Sequence, residues 1–116
     1  MAGADCIFCK IVAGEIPAAK IYEDERAVAF RDINPQAPTH ALVIPREHVA
    51  SLNEASEDTE AVLGHLLLVA ARIARDEGHA DGGYRTVVNT GPDAGQSVFH
   101  VHVHLLGGRP LTWPPG

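Results

Sequence analysis

From residue 99 to residue 106 the chain reads Phe-His-Val-His-Val-His-Leu-Leu, with histidine at every second position between His100 and His104. Successive side chains of a β-strand face opposite sides, so His100, His102 and His104 share one face and Val101, Val103 and Leu105 the other. A helix would scatter the three rings around its axis. The alternation therefore predicts a half-buried strand on which neighbouring histidine Cα atoms stand about 6.6 Å apart. That distance is too wide for stacked rings and short enough to line one small site. Thr, Lys or Glu would serve an ordinary surface strand equally well, so the imidazoles ask for a chemical reason.

Three chemistries fit such a row. Histidines two residues apart can ligate a metal. They can cradle an anion, with one ring as nucleophile and its neighbours as hydrogen-bond donors. They can also form a pH-sensitive patch without catalysis. The preceding segment Gly91-Pro92-Asp93-Ala94-Gly95-Gln96-Ser97 is a loop by composition and brings backbone N–H groups, an amide and a hydroxyl to the start of the row. That equipment suits phosphate oxygens. No Lys-Ser/Thr follows the glycines, which excludes a nucleoside-triphosphate P-loop.

The remaining chain fits one domain over residues 1–116, long enough for a single core and too short for two. A net charge of −6 argues against a nucleic-acid polymer as partner, although not against a mononucleotide, which needs only local donors. No basic leader, membrane-length apolar run or lipidation signal is seen, so the expectation is a cytoplasmic protein without a membrane partner. A short helical segment is expected over residues 10–19, broken at Gly14 and Pro17. Strands are expected at 21–23, 27–32 and 40–45, with the prolines of Asn34-Pro35-Gln36-Ala37-Pro38 forcing irregular chain between the last two. Ser56 reads as the N-cap of one long helix, with Glu57, Asp58 and Glu60 complementing its dipole. Its apolar stripe is Val62, Leu66, Val69 and Ile73, flanked by Leu63, Leu67, Ala70 and Ala74. Gly78 stops it, and His65 falls on the polar face. A strand at 84–89 ends at Asn89 and precedes the histidine strand. The order β-β-β-α-β-β predicts an α+β domain with a mostly antiparallel five-stranded sheet and the helix across one face.

Two further features have alternatives that local sequence leaves open. Cys6-Ile7-Phe8-Cys9 holds both cysteines; the pair is half of a zinc site or two small buried hydrophobes. A redox motif of the thioredoxin kind should follow a strand, and none precedes it. Asp32 at a strand end can accept from both hydroxyls of a ribose, and a turn-forming Asp before Ile33-Asn34-Pro35 explains it equally well.

His100 through Leu106, followed by Gly107-Gly108-Arg109, resembles the signature of the histidine triad (HIT) nucleotide-binding and hydrolysing family. Ile7-Phe8, the run from Asp32 to His40, Gly95-Gln96-Ser97 and the ending Trp113-Pro114-Pro115-Gly116 resemble its Hint branch. The resemblance implies a HIT-like fold with one long and one short N-terminal helix, and a homodimer whose sheets join side by side, with Trp113 reaching toward the partner's site. It implies one structural zinc ion per chain on Cys6, Cys9, His48 and His100; four protein ligands leave no position for water. It places Ile7, Phe8, Ile11, Phe30 and Ile33 around a base and Asp32 on the ribose. It assigns the phosphoryl oxygens to His104, Gln96, Asn89 and the backbone of Gly95, Gln96 and Ser97.

The activity so implied is hydrolysis of adenosine or other purine nucleoside 5′-phosphoramidates to a nucleoside monophosphate and an amine. His102 is the expected nucleophile, Ser97 relays a proton to the leaving amine, His100 orients the row, and His40 supports it from behind. A zinc hydrolase using His100, His102 and His104 as ligands would need a general-base carboxylate, and no acidic residue interrupts the motif. A nucleotide-binding or adaptor protein with incidental turnover would use the same residues.

Overall fold

The computed structural model describes residues 5–116. Five strands, β1 (Lys20–Glu23), β2 (Ala27–Arg31), β3 (Thr39–Pro45), β4 (Tyr84–Val87) and β5 (Val103–Gly107), form one antiparallel sheet in the order β1-β2-β3-β5-β4. Two helices cover its faces: α1 (Ile7–Val12) and the 17-residue α2 (Glu60–Asp76). This is the expected α+β architecture. β3 lies at the centre, paired with β2 on one side and β5 on the other, and all seven of its residues are buried. That is why its sequence reads as an almost unbroken apolar run.

The period of two divides the core into two layers. Ala27 and Ala29 of β2, Ala41 and Val43 of β3, and Val103 and Leu105 of β5 meet Leu66, Val69, Ala70, Ile73 and Ala74 of α2. The alanines let the long helix approach closely, and each fully buried Leu, Ile or Val contributes about 1.5–3 kcal/mol. On the opposite face Val28, Phe30, Leu42 and Ile44 pack against Cys6, Phe8 and Ile11 of the α1 segment. His40 and His104 belong to this second face, because His40 lies two residues before Leu42 and His104 pairs across from it.

Several boundaries differ from the sequence expectation. The first helix starts at Ile7 instead of residue 10, since the Cys6 thiol caps it by accepting the Cys9 N–H at 3.3 Å. Ser56 caps a 3₁₀ turn, Glu57–Thr59, through a capping box with Thr59, and α2 begins only at Glu60. β2 stops at Arg31 and β4 at Val87, leaving Asp32 and Asn89 just beyond strand ends.

The histidine strand is also shorter than its alternation suggests: β5 begins at Val103, and His100 and His102 precede it. There the Val101 N–H goes to the Val49 carbonyl at 2.7 Å, and the Pro45 carbonyl takes the His100 ring N–H at 2.8 Å. Side chain replaces ladder at the end of β3. The alternation of faces persists nonetheless, with Val101 in the α2 layer and His100 and His102 against Phe8.

His65 is no idle surface residue. Its Nε2 lies 2.6 Å from Asp24 Oδ2, while Asp24 Oδ1 accepts the N–H groups of Arg26 and Ala27 and so closes the β1–β2 turn against α2. Burial alone would raise the Asp24 pKa, but bonds from Tyr22, Arg26, His65 and Ala27 hold it well below the usual carboxylate range. Of the predicted helix stripe, Leu67 is 48% exposed, and its neighbour Leu68 is 70% exposed. No helix among the described residues is long and apolar enough to cross a membrane.

Candidate functional site

Two adjoining constellations occupy the α1 face. The first joins the start of α1 to the ends of two central strands. Cys6 and Cys9 come from α1, His48 follows β3, and His100 precedes β5. Sγ of Cys6 is 3.3 Å from His100 Nδ1, Sγ of Cys9 is 3.3 Å from His48 Nδ1, and the two Nδ1 atoms are 3.2 Å apart. All four donor atoms lie within 4.8 Å of one another. A tetrahedral ion with metal–nitrogen bonds of 2.0–2.1 Å and metal–sulfur bonds of 2.3 Å sets its nitrogens about 3.3 Å apart and each sulfur about 3.5 Å from a nitrogen. The donor set therefore has the chemistry and spacing of a closed zinc site.

Protonation supports that fit. His100 donates its Nε2–H to Pro45, which leaves the Nδ1 lone pair facing the thiols. Burial, reinforced by His48 and His102, lowers its pKa to about 4 against the opposing bond to Pro45, so the ring is neutral near pH 7. Burial and the adjacent Cys6 push the bare Cys9 thiol up to about 11; a bound cation would ionise it.

The second constellation is a cavity of about 600 Å³ beside α1. Ile7, Phe8, Ile11, Phe30 and Ile33 form its apolar wall, Asp32 lies along it, and Ser97, His102 and His104 close its polar end. Ile16, Pro17, Ala18, Ala19, Leu42 and Val98 complete the wall. Sequence reasoning missed these six, because an aliphatic loop or core residue carries no chemical signature until packing places it. Arg31, the one cation on the wall among the described residues, is held by Glu77 in a fork with bonds of 2.9 and 2.5 Å. An anion here meets neutral donors.

His102 is 5% exposed and donates its Nδ1–H to the His100 carbonyl at 2.8 Å, so in the neutral ring the lone pair sits on Nε2. The Phe8 ring stands edge-on to it at 5.1 Å, and the His104 ring lies 5.0 Å away. His40 accepts the Gln36 N–H at Nδ1, so its own proton is on Nε2 and points at His104 Nδ1, 3.0 Å away. This leaves the His104 proton on Nε2. Asp32 Oδ2 lies 3.4 Å from His40 Nε2. Asp32, His40 and His104 are close enough to hold a metal, but the His40 proton makes them a hydrogen-bonded relay. Burial lowers the His40 pKa against the pull of Asp32. Burial, with His102 and His40 nearby, lowers that of His104 to about 4.

Asn89, Gly95 and Gln96 are not on the cavity wall. The buried Gln96 amide donates to the Ala50 and Val98 carbonyls, and its oxygen accepts the Gly91 N–H at 2.9 Å. Its side chain thus ties the loop after β4 into shape, where the family resemblance implied contact with a phosphoryl oxygen.

With the geometry established, comparison with known proteins adds lineage. The HIT domain family model matches residues 13–111. The chain is 58% identical over 112 residues to an uncharacterized HIT-like protein of Synechococcus elongatus, covering 97% of each chain. It is 55% identical to a 14 kDa zinc-binding protein of Zea mays, over 95% of this chain and 87% of that one. The crystal structure of a HIT family hydrolase from Legionella pneumophila superposes with a TM-score of 0.95 at 51% identity, over 97% of this chain and 100% of the other.

Proposed function

This chain belongs to the HIT domain family, and from that premise we propose that it hydrolyses purine nucleoside 5′-phosphoramidates, in the manner of the Hint branch. The observation that carries the reading is His102: one ring nitrogen is held by the His100 carbonyl and the other is free at the polar end of an apolar cavity of nucleoside size. A purine packs against Ile7, Phe8, Ile11, Phe30 and Ile33, and the ribose hydroxyls donate to Asp32, whose carboxylate has lone pairs beyond those used by Asn34 and His40.

His102 Nε2 attacks phosphorus, a P–N bond to histidine forms, and the P–N bond to the amine breaks. Ser97 relays a proton from solvent to the departing amine, which leaves badly as an anion, and the water that attacks in the second step returns one to solvent. The Nε2–H of His104 and the Ser97 N–H donate to the phosphoryl oxygens, while the N–H groups of Gly95 and Gln96 are taken by the Pro92 and Gly91 carbonyls and hold the loop in place. Gln96 acts by shaping that loop. Water then attacks phosphorus, and cleavage of the histidine P–N bond releases the nucleoside monophosphate. His40 keeps His104 in the tautomer this step requires.

Cys6, Cys9, His48 and His100 hold one structural zinc ion per chain, which elemental analysis should find at about one equivalent. Its chemistry is cross-linking, with no position open for water. A homodimer is supported by the outer edge of β4, where Tyr84 is exposed, and by exposed Leu67, Leu68 and Trp113. We place the protein in the cytoplasm, where free thiols stay reduced. Incubation with a fluorogenic adenosine phosphoramidate tests the activity. Release of the amine by wild type and none by His102→Ala supports it, whereas tight AMP binding without turnover makes the protein a binder.

A further inference from the structure

We infer that the Cys6, Cys9, His48 and His100 cluster is a positioning device for catalysis: when these side chains hold a divalent ion, they dock α1 so that the Phe8 ring is set against His102. The inference rests on reading the cavity as a nucleotide site and adds a control over its assembly.

Helix α1 is otherwise weakly held. It has six residues, far fewer than the roughly 12–15 that sustain a helix alone. Among the described residues, no backbone hydrogen bond joins it to the sheet; the bonds of Lys10, Ala13, Gly14 and Glu15 all return to residues 6–11. Its place depends on side chains. Ile11 and Phe8 pack on the face made by Phe30, Leu42 and Ile44, and the two thiols reach His48 and His100. Phe8 lies between those thiols in sequence, and its ring meets Phe30 at 5.5 Å, His100 at 5.9 Å and His102 at 5.1 Å. The segment that carries three of the cavity's wall residues is thus pinned at the cluster.

The same cluster governs the other side of the nucleophile. The His100 ring is one of its four donors, and the His100 carbonyl accepts the His102 Nδ1–H. A displacement of His100 releases the bond that fixes the His102 tautomer. The Nδ1 atoms of His48 and His100 stand 3.2 Å apart, a spacing that weak thiol donors or one shared ring proton would hold loosely. An ion replaces that arrangement with four strong bonds.

The test compares the full chain loaded with zinc and the same chain stripped by a chelator. Hydrogen exchange should rise in residues 6–13 on stripping while β2, β3 and α2 keep their protection. AMP affinity should fall about tenfold if α1 then docks a tenth of the time, and zinc should restore both. The ¹⁵N spectrum of His102 should show a single Nδ1-protonated ring in the loaded chain and mixed tautomers in the stripped one. Unchanged exchange at 6–13, or equal AMP affinity in both forms, overturns the inference. So does a uniform rise in exchange, which would make the ion a staple of the whole fold. A loaded chain that fails to bind AMP defeats the nucleotide reading instead, and exchange with the His102 spectrum still decides the coupling.

Discussion

His102 gives its Nδ1–H to the carbonyl oxygen of His100 at 2.8 Å, while the ring of His100 turns its Nδ1 to the Cys6 and Cys9 sulfurs at 3.3 and 3.5 Å. Adjacent members of one row thus face different chemistries. His100 faces the two thiols within a cluster that could hold a metal ion, and His102 faces the cavity.

Replacing His102 by Ala should leave AMP affinity within a few-fold, because the apolar wall and Asp32 remain. Turnover should fall about 10³-fold or more, as for other nucleophile deletions. Quenching wild type during turnover should trap a nucleoside monophosphate on a peptide spanning residues 97–109, stable to base and labile to acid. Mass spectrometry that finds the adduct on Ser97 would overturn the assignment.

Ser97→Ala should separate leaving groups. Substrates with strongly basic amines need a proton as the P–N bond breaks, whereas a nitrophenolate leaves without one. Parallel kcat measurements on the two classes should show a much larger loss for the amines; equal losses would remove Ser97 from proton transfer.

Stability should decline in acid through His104. Burial lowers its folded pKa from 6.5 to about 4, so between those values the unfolded chain binds the extra proton. Stability is therefore full above pH 6.5 and is lost progressively as pH falls to about 4. Thermal melts from pH 7 to 4 should show a smaller decline in His104→Asn than in wild type. Identical slopes would mean that His104 titrates normally.

Gly107→Ala should destabilise the fold by about 1–3 kcal/mol through overpacking. An added Cβ would stand 2.9 Å from the His79 ring, which Thr39 holds at 2.7 Å. Urea denaturation checks the loss, and His79→Ala in the same chain should recover part of it by vacating the space. Additive losses in the double variant would contradict this packing.

Sedimentation at micromolar concentration should give a dimer. Truncation after Leu111, which removes exposed Trp113, should alter selectivity for the amine more than nucleotide affinity. A monomeric full chain would exclude a contribution from the partner's tail.

The sequence by itself determined the division of faces. Alternation in the histidine row follows from backbone geometry within a few residues, so it survives even where the ladder does not form. The long helix was legible for the same reason: its apolar period is local. Tertiary structure decided where elements stop and which distant groups meet. β5 begins at Val103 because the Val101 N–H finds Val49 and the His100 ring finds Pro45, partners that only the packed chain supplies. Gln96 turns to backbone and His65 to Asp24 for the same kind of reason. The cluster of Cys6 with His100 spans 94 positions. Family resemblance named its members, but their tetrahedral spacing exists only once the sheet brings the chain after β3 beside the chain before β5. Local periodicity is written into the covalent chain, whereas a hydrogen-bond partner far away is fixed only when burial removes water as the alternative.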